Sequence, residues 1–107
     1  MNYKQKDEAK IESREKITTL RKIDHPFKGN RWAVCMSKRV KGGFGKAKYS
    51  KPYYYDMNCL NDNMAKMLGF ESKEEYLAQD YNKGLENSIK KGYILEEFIP
   101  NNNKKEL

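Results

Sequence analysis

Asp56 divides this chain into two kinds of pattern, and that division limits the fold more than any other feature. Ahead of it, β-prone runs are broken by Pro26, Gly29, the Gly42-Gly43-Phe44-Gly45 stretch and Pro52. Behind it, Leu60, Met64, Met67 and Leu68 recur at helical spacing, with Gly69 as the stop. Ser72-Lys73-Glu74-Glu75 is a capping box that opens a second short helix, Leu85 and Ile89 mark a third ending at Gly92, and Tyr93 to Ile99 reads as a last strand. Strands followed by short helices predict an α+β domain.

The first strand spans Lys16 to Lys22 and has an awkward pattern. Alternation sets Ile17, Thr19 and Arg21 on one face and Lys16, Thr18 and Leu20 on the other, so polar and apolar groups share both faces and part of the strand lines a polar site. From Arg31 to Val40 both faces tolerate burial, which predicts a central strand. Lys41 to Lys46 is read as a glycine-rich turn, and Lys46 to Met57 as an extended stretch that Pro52 places at an edge or breaks in two. An N-terminal arm over residues 1–11, flexible or helical, one domain over 12–100 and a disordered tail over 101–107 complete the expected layout.

Charge is concentrated as sharply as pattern. Residues 14–51 hold twelve Lys and Arg against Glu15 and Asp24, a local charge of +10 in a chain whose total is +7. A surface of that sign fits a polyanionic partner. The single histidine, His25, precedes Pro26 in a loop, which removes most histidine-centred catalysis. Cys35 and Cys59 lie too far from other ligand types for a local zinc set and are expected as buried free thiols in a reducing compartment. No cofactor or metal is implied. With no apolar run near membrane-span length and no apolar signal segment, the chain reads as a cytoplasmic monomer with no membrane partner.

Two familiar motifs fail, and a third, the winged helix of a DNA-binding protein, stays as a lesser alternative with charge against it. Ala47 follows Gly45-Lys46 where a phosphate-binding P-loop needs a hydroxyl and a helix. The basic-Gly-aromatic pattern around Phe44 lacks the strand and helix order of an RNA-recognition motif. A winged-helix reading of Met64 to Ile94 puts Glu71, Glu74, Glu75 and Asp80 on the helix that should approach phosphates.

Four stretches, in order, resemble a known family. Lys16-Ile17-Thr18-Thr19-Leu20-Arg21 looks like the Lys-x-x-Thr-aliphatic-Arg strand of the ASCH domain, and Phe27 to Val34 looks like its turn into the next strand. Ala65 to Glu75 is similar to its helix, Gly-Phe, Ser, helix segment, and Tyr93 to Ile99 to its closing strand. The chain departs from the family pattern in having Ser13-Arg14-Glu15 where Gly precedes the motif Lys, and Asn30 where the turn has Asp. The resemblance, over about residues 12–99, implies a small PUA-like (ASCH-type) β-barrel with two to three short helices packed on it.

It also implies function. The expectation is an RNA- or nucleotide-binding domain, RNA before DNA, with a cleft around Lys16 to Arg21. Arg21, Lys22, Arg31, Lys38, Arg39, Lys41, Lys46 and Lys48 would meet phosphate, and Tyr54 a base. Some ASCH proteins are acetylcytidine amidohydrolases that use a Lys, a Thr and a Glu; here the Lys and Thr fall on Lys16 and Thr19, with Asp62 the nearest candidate for the acid. A third expectation, from the Lys, Asn and Tyr content, is a phage or mobile-element protein that binds a host protein.

Overall fold

The computed structural model describes residues 1–38 and 40–101 and the backbone of 105–106. Arg39 and most of the expected tail lie outside the described residues. Six strands, β1 (Thr18–Lys22), β2 (Trp32–Ser37), β3 (Val40–Tyr49), β4 (Tyr53–Asp56), β5 (Ile89–Pro100) and β6 (Lys105–Glu106), form one antiparallel sheet. Helix α1 (Gln5–Glu12) precedes it, and α2 (Asp62–Met67) and α3 (Lys73–Leu77) stand between β4 and β5. The result is an α+β curled half-barrel.

The long strand β5 is the spine. Its first half pairs with β1 on one side, from Lys22↔Lys90 to Thr18↔Ile94, and with β4 on the other, where Tyr53 faces Gly92. Its second half pairs with β3, from Tyr49↔Leu95 to Gly45↔Pro100. The expected break at Pro52 is present: β3 ends at Tyr49 and β4 begins at Tyr53 along the same side of β5. Asn61 caps α2 by accepting the Met64 N–H at 2.8 Å, and Ser72 caps α3 by accepting that of Glu75 at 3.2 Å.

Two apolar clusters sandwich the sheet. Tyr3, Ile11, Cys35, Val40, Phe44, Tyr49, Tyr93 and Leu95 fill the curl, while Leu20 packs with Met57, Leu60, Met64, Leu68, Phe70 and Tyr76 under α2 and α3. Thr18, Thr19 and Leu20 are therefore all buried, which explains the mixed alternation of β1: both of its faces meet protein. Cys35 is buried as expected, but Cys59 is exposed.

Three local expectations need correction. The glycine-rich segment lies inside β3, and the chain reverses between Ser37 and Val40 instead. At Gly43 (φ +94°) a Cβ would stand 2.5 Å from Val34 Cγ1 and 2.8 Å from the Cys35 carbonyl oxygen, so the glycine lets β2 and β3 approach. Next, β2 lies at the end of the sheet order and leaves Trp32, Val34 and Met36 exposed. Finally, Leu85 to Gly92 is no helix. Buried Asn82 donates to the Tyr76 carbonyl at 2.7 Å and accepts from Lys90 Nζ at 2.5 Å, holding a turn there, and β5 starts at Ile89.

The residues ahead of α1 are built into the sheet edge. Tyr3 N–H donates to the Met36 carbonyl and Met36 N–H to the Met1 carbonyl, both at 2.8 Å, so residues 1–3 run alongside β2. From the other edge, Arg21 of β1 donates to the Asn2 carbonyl at 2.7 Å, and Thr19 shares a 2.9 Å hydrogen bond with the Tyr3 hydroxyl. The N-terminal segment thus spans the gap between the two ends of the sheet.

Gly42 also has positive φ, yet a Cβ there meets nothing within 4 Å. Gly42→Ala should therefore cost about 1–2 kcal/mol from backbone strain alone. Gly43→Ala should cost more, by about 1–3 kcal/mol for the added clash. Urea unfolding of the two variants checks the order; equal costs would mean that β2 and β3 yield freely.

Candidate functional site

A cleft of about 360 Å³ opens where the N-terminal segment, β1 and the helical layer meet. Asn2, Tyr3, Lys4 and Asp7 line it from the first segment, Lys16, Leu20 and Arg21 from β1 and its approach, and Leu68, Tyr76 and Tyr81 from the helical side. Lys4, Lys16 and Arg21 outnumber the one carboxylate, Asp7. The cleft is small and net cationic, with phenol rings in its walls.

Lys16 is set by the end of α2. That helix stops at Gly69 (φ +93°), and its last carbonyls need donors. Lys16 Nζ donates to the Leu68 carbonyl at 2.7 Å and Lys10 Nζ to that of Gly69 at 2.5 Å. One bond leaves two of the three Lys16 ammonium protons for the cleft. Lys16 is only 7% exposed. Burial is the main cause that lowers its pKa to about 8; Asp7 pulls it up, while Arg21 and Lys10 push it down.

Arg21 is fixed by its bond to Asn2, by a second to the Leu20 carbonyl at 3.2 Å, and by stacking 5.2 Å over the Tyr3 ring. Behind Tyr3 lies a chain of hydroxyls. Its phenol bonds both Thr19 and Tyr49, and Tyr49 in turn meets the Cys35 thiol at 3.6 Å. Burial raises the Tyr3 pKa to about 12. Lys90 does not line the cleft but sits 5.6 Å and 5.5 Å from the ring centres of Tyr76 and Tyr81, which do, and burial lowers its pKa to about 8.

The fold sorts the expected site residues into groups. Lys16 and Arg21 line the cleft, and Thr19 is one hydroxyl behind it, reached through Tyr3. Asp62 is elsewhere: it stands in the first turn of α2, about 9 Å along the axis from the end that faces Lys16, and accepts the Lys73 N–H at 2.9 Å. The carboxylate beside Lys16 is Asp7. Arg31 borders a hollow with Asn2 and His25, and Lys38 another with Asn2 and Met36, so both adjoin the cleft through Asn2. Lys46 and Lys48 lie on β3 opposite Val34 and Trp32. Lys22 and Lys41 are exposed at strand ends, and Tyr54 is 70% exposed on β4. Tyr3, Lys4, Asp7 and Tyr81 were not legible as site residues, because the segments that carry them show no motif. Among the described residues, no three His, Cys, Asp or Glu side chains gather as a metal-ligand group.

The curled antiparallel half-barrel with its short helices has counterparts among solved structures. Two solved structures of ZmASCH variants from Zymomonas mobilis share it. One superposes with a TM-score of 0.66 at 17% identity, covering 94% of this chain and 68% of that one. The other gives 0.64 at 18% identity, covering 94% and 69%. No protein-family model and no curated protein matches the sequence. The chain has the ASCH-type fold. That fold overturns the winged-helix reading: α3 has five residues, its Tyr76 is buried, and Lys91 to Ile94 belong to β5.

The lysine shifts set a pH dependence. A lysine whose pKa falls from 10.5 to about 8 on folding binds fewer protons in the native than in the unfolded chain between those values, so stability rises with pH there. Tyr3 and Tyr76, raised from 10.0 to about 12, act oppositely above pH 10. Urea unfolding from pH 7 to 11 should show stability climbing above pH 8 and turning over near pH 10. Lys16→Met should flatten the climb by on the order of 3 kcal/mol; an unchanged climb would deny Lys16 its share.

Proposed function

We propose that the chain binds RNA or a nucleotide in the Lys16–Arg21 cleft. The observation that carries this reading is the convergence of Lys4, Lys16 and Arg21 with phenol groups in one hollow of about 360 Å³. That volume is at the lower end of small-ligand sites and suits one nucleotide unit, not a duplex. Lys16 and Arg21 keep donors for phosphate oxygens beyond those spent on the fold. The ASCH-type fold supports a small RNA-binding type of domain, and the excess of positive charge supports the sign of the ligand.

Binding should weaken steeply with salt. Lys16→Ala combined with Arg21→Ala should lower affinity for a short single-stranded RNA at least about tenfold and reduce the slope of log K against log salt by about 1.4, the share of two phosphate contacts. Fluorescence anisotropy of a labelled oligomer at several salt concentrations measures both, with circular dichroism to check folding. Affinity and slope equal to those of the wild type would reject the cleft.

One observation favours hydrolysis of an amide on a modified nucleoside as a second reading: Lys16, with its pKa near 8 and Asp7 close by, is the kind of amine that serves as general base when neutral. Thr19 would then be a positioning residue that acts through Tyr3. Incubation with acetylcytidine should release acetate at a rate that rises with pH through about 8 and vanishes in Lys16→Met. No release by the wild-type chain would reject this reading.

A further inference from the structure

The cleft uses one end of the sheet. At the other end, where β2, β3 and the second half of β5 lie together, a different surface is exposed. Register places Trp32 opposite Lys48 and Val34 opposite Lys46, then Lys46 opposite Ile99 and Lys48 opposite Glu97, so these side chains share one face. Helices α2 and α3 pack around Leu20, Tyr55 and Met57, at the β1 and β4 end, and do not reach it. Trp32 is 43% exposed and Ile99 55%. Beside them is a hollow of about 470 Å³ over Gly42 and Gly45, bordered by Val34, Lys46 and Ile99.

Exposed apolar area alone would suit many partners. Charge narrows the choice. Lys46 and Lys48 stand within the patch, Arg31 directly precedes Trp32 in the chain and Lys41 lies further along β3; none of the four forms an ion pair among the described residues, and Glu97 is the one acid in the shared register. A second copy of the chain docked by two-fold symmetry would bring those cations against each other. A polyanion would be drawn to them. Two residues apart on one strand, Lys46 and Lys48 stand about 7 Å from each other, comparable with successive phosphates of an extended strand. An exposed indole among cations is a stacking platform for an unpaired base.

We propose that this face is a second RNA contact, where one base of a single strand stacks on Trp32 while Lys46 and Lys48 hold the flanking phosphates. It is separate from the cleft and goes beyond it.

Trp32 is the only tryptophan of the chain, so its emission reports on this face directly. Titration with a single-stranded RNA of about ten nucleotides should quench it saturably, whereas inorganic polyphosphate should bind without quenching. Trp32→Ala should weaken the labelled oligomer at least about fivefold, and Trp32→Phe should restore most of the loss. Lys46→Ala with Lys48→Ala should lower the salt slope by about 1.4. In the Lys16→Ala and Arg21→Ala double variant, the quench should persist at higher RNA concentration. RNA binding that leaves Trp32 emission unchanged, equal quenching by polyphosphate, or wild-type affinity in Trp32→Ala would overturn the proposal while leaving the cleft intact. A persistent quench with wild-type affinity in the cleft double variant would overturn the cleft and support this face. No binding of the oligomer at all would overturn both.

Discussion

The site depends on how the first three residues join the two ends of an open sheet. Strand β2 is the last of its row, and its outward N–H and carbonyl groups need partners. Residues 1–3 supply them, and the same segment is bonded from the opposite end of the sheet by Arg21 and Thr19. Closing the curl brings Tyr3, Lys4 and Asp7 opposite Lys16, and the hollow between them is the cleft. Without that closure, Lys16 and Arg21 would be two cations on a strand and not two sides of a site.

Under the proposed binding role, structural and functional demands would meet in the same side chains. Lys16 completes the end of α2, and Arg21 ties down the N-terminal segment, so each spends part of its donor capacity on the fold. What remains is held in place by those bonds, which favours binding because little conformational freedom is left to lose. Burial is the cost. It drives Lys16 and Lys90 toward neutrality, and the tyrosines around them resist ionisation for the same reason.

Much of the architecture was legible. Pro52, Gly69 and Ser72 marked real boundaries because each acts through local chemistry, by lacking an N–H, by adopting positive φ, or by capping. The Lys16 to Arg21 stretch pointed to a strand with both faces in demand. What failed was set by long-range contact. Glycines that read as a turn were needed for strands to approach, and the Leu85 and Ile89 spacing was overridden by the bonds of Asn82. The acid of the cleft was hidden for the same reason: Asp62 is nearer in pattern, but Asp7 arrives through the closure of the N-terminal segment, which no local motif announces.

Photo-crosslinking tests most directly whether this closure makes a binding site. A single-stranded RNA carrying 4-thiouridine, irradiated with the chain and digested for mass spectrometry, should mark the segment around Tyr3 and Lys4 together with the one that carries Tyr76 and Tyr81. Crosslinks that leave both segments unmarked would contradict the cleft as the place where RNA is held.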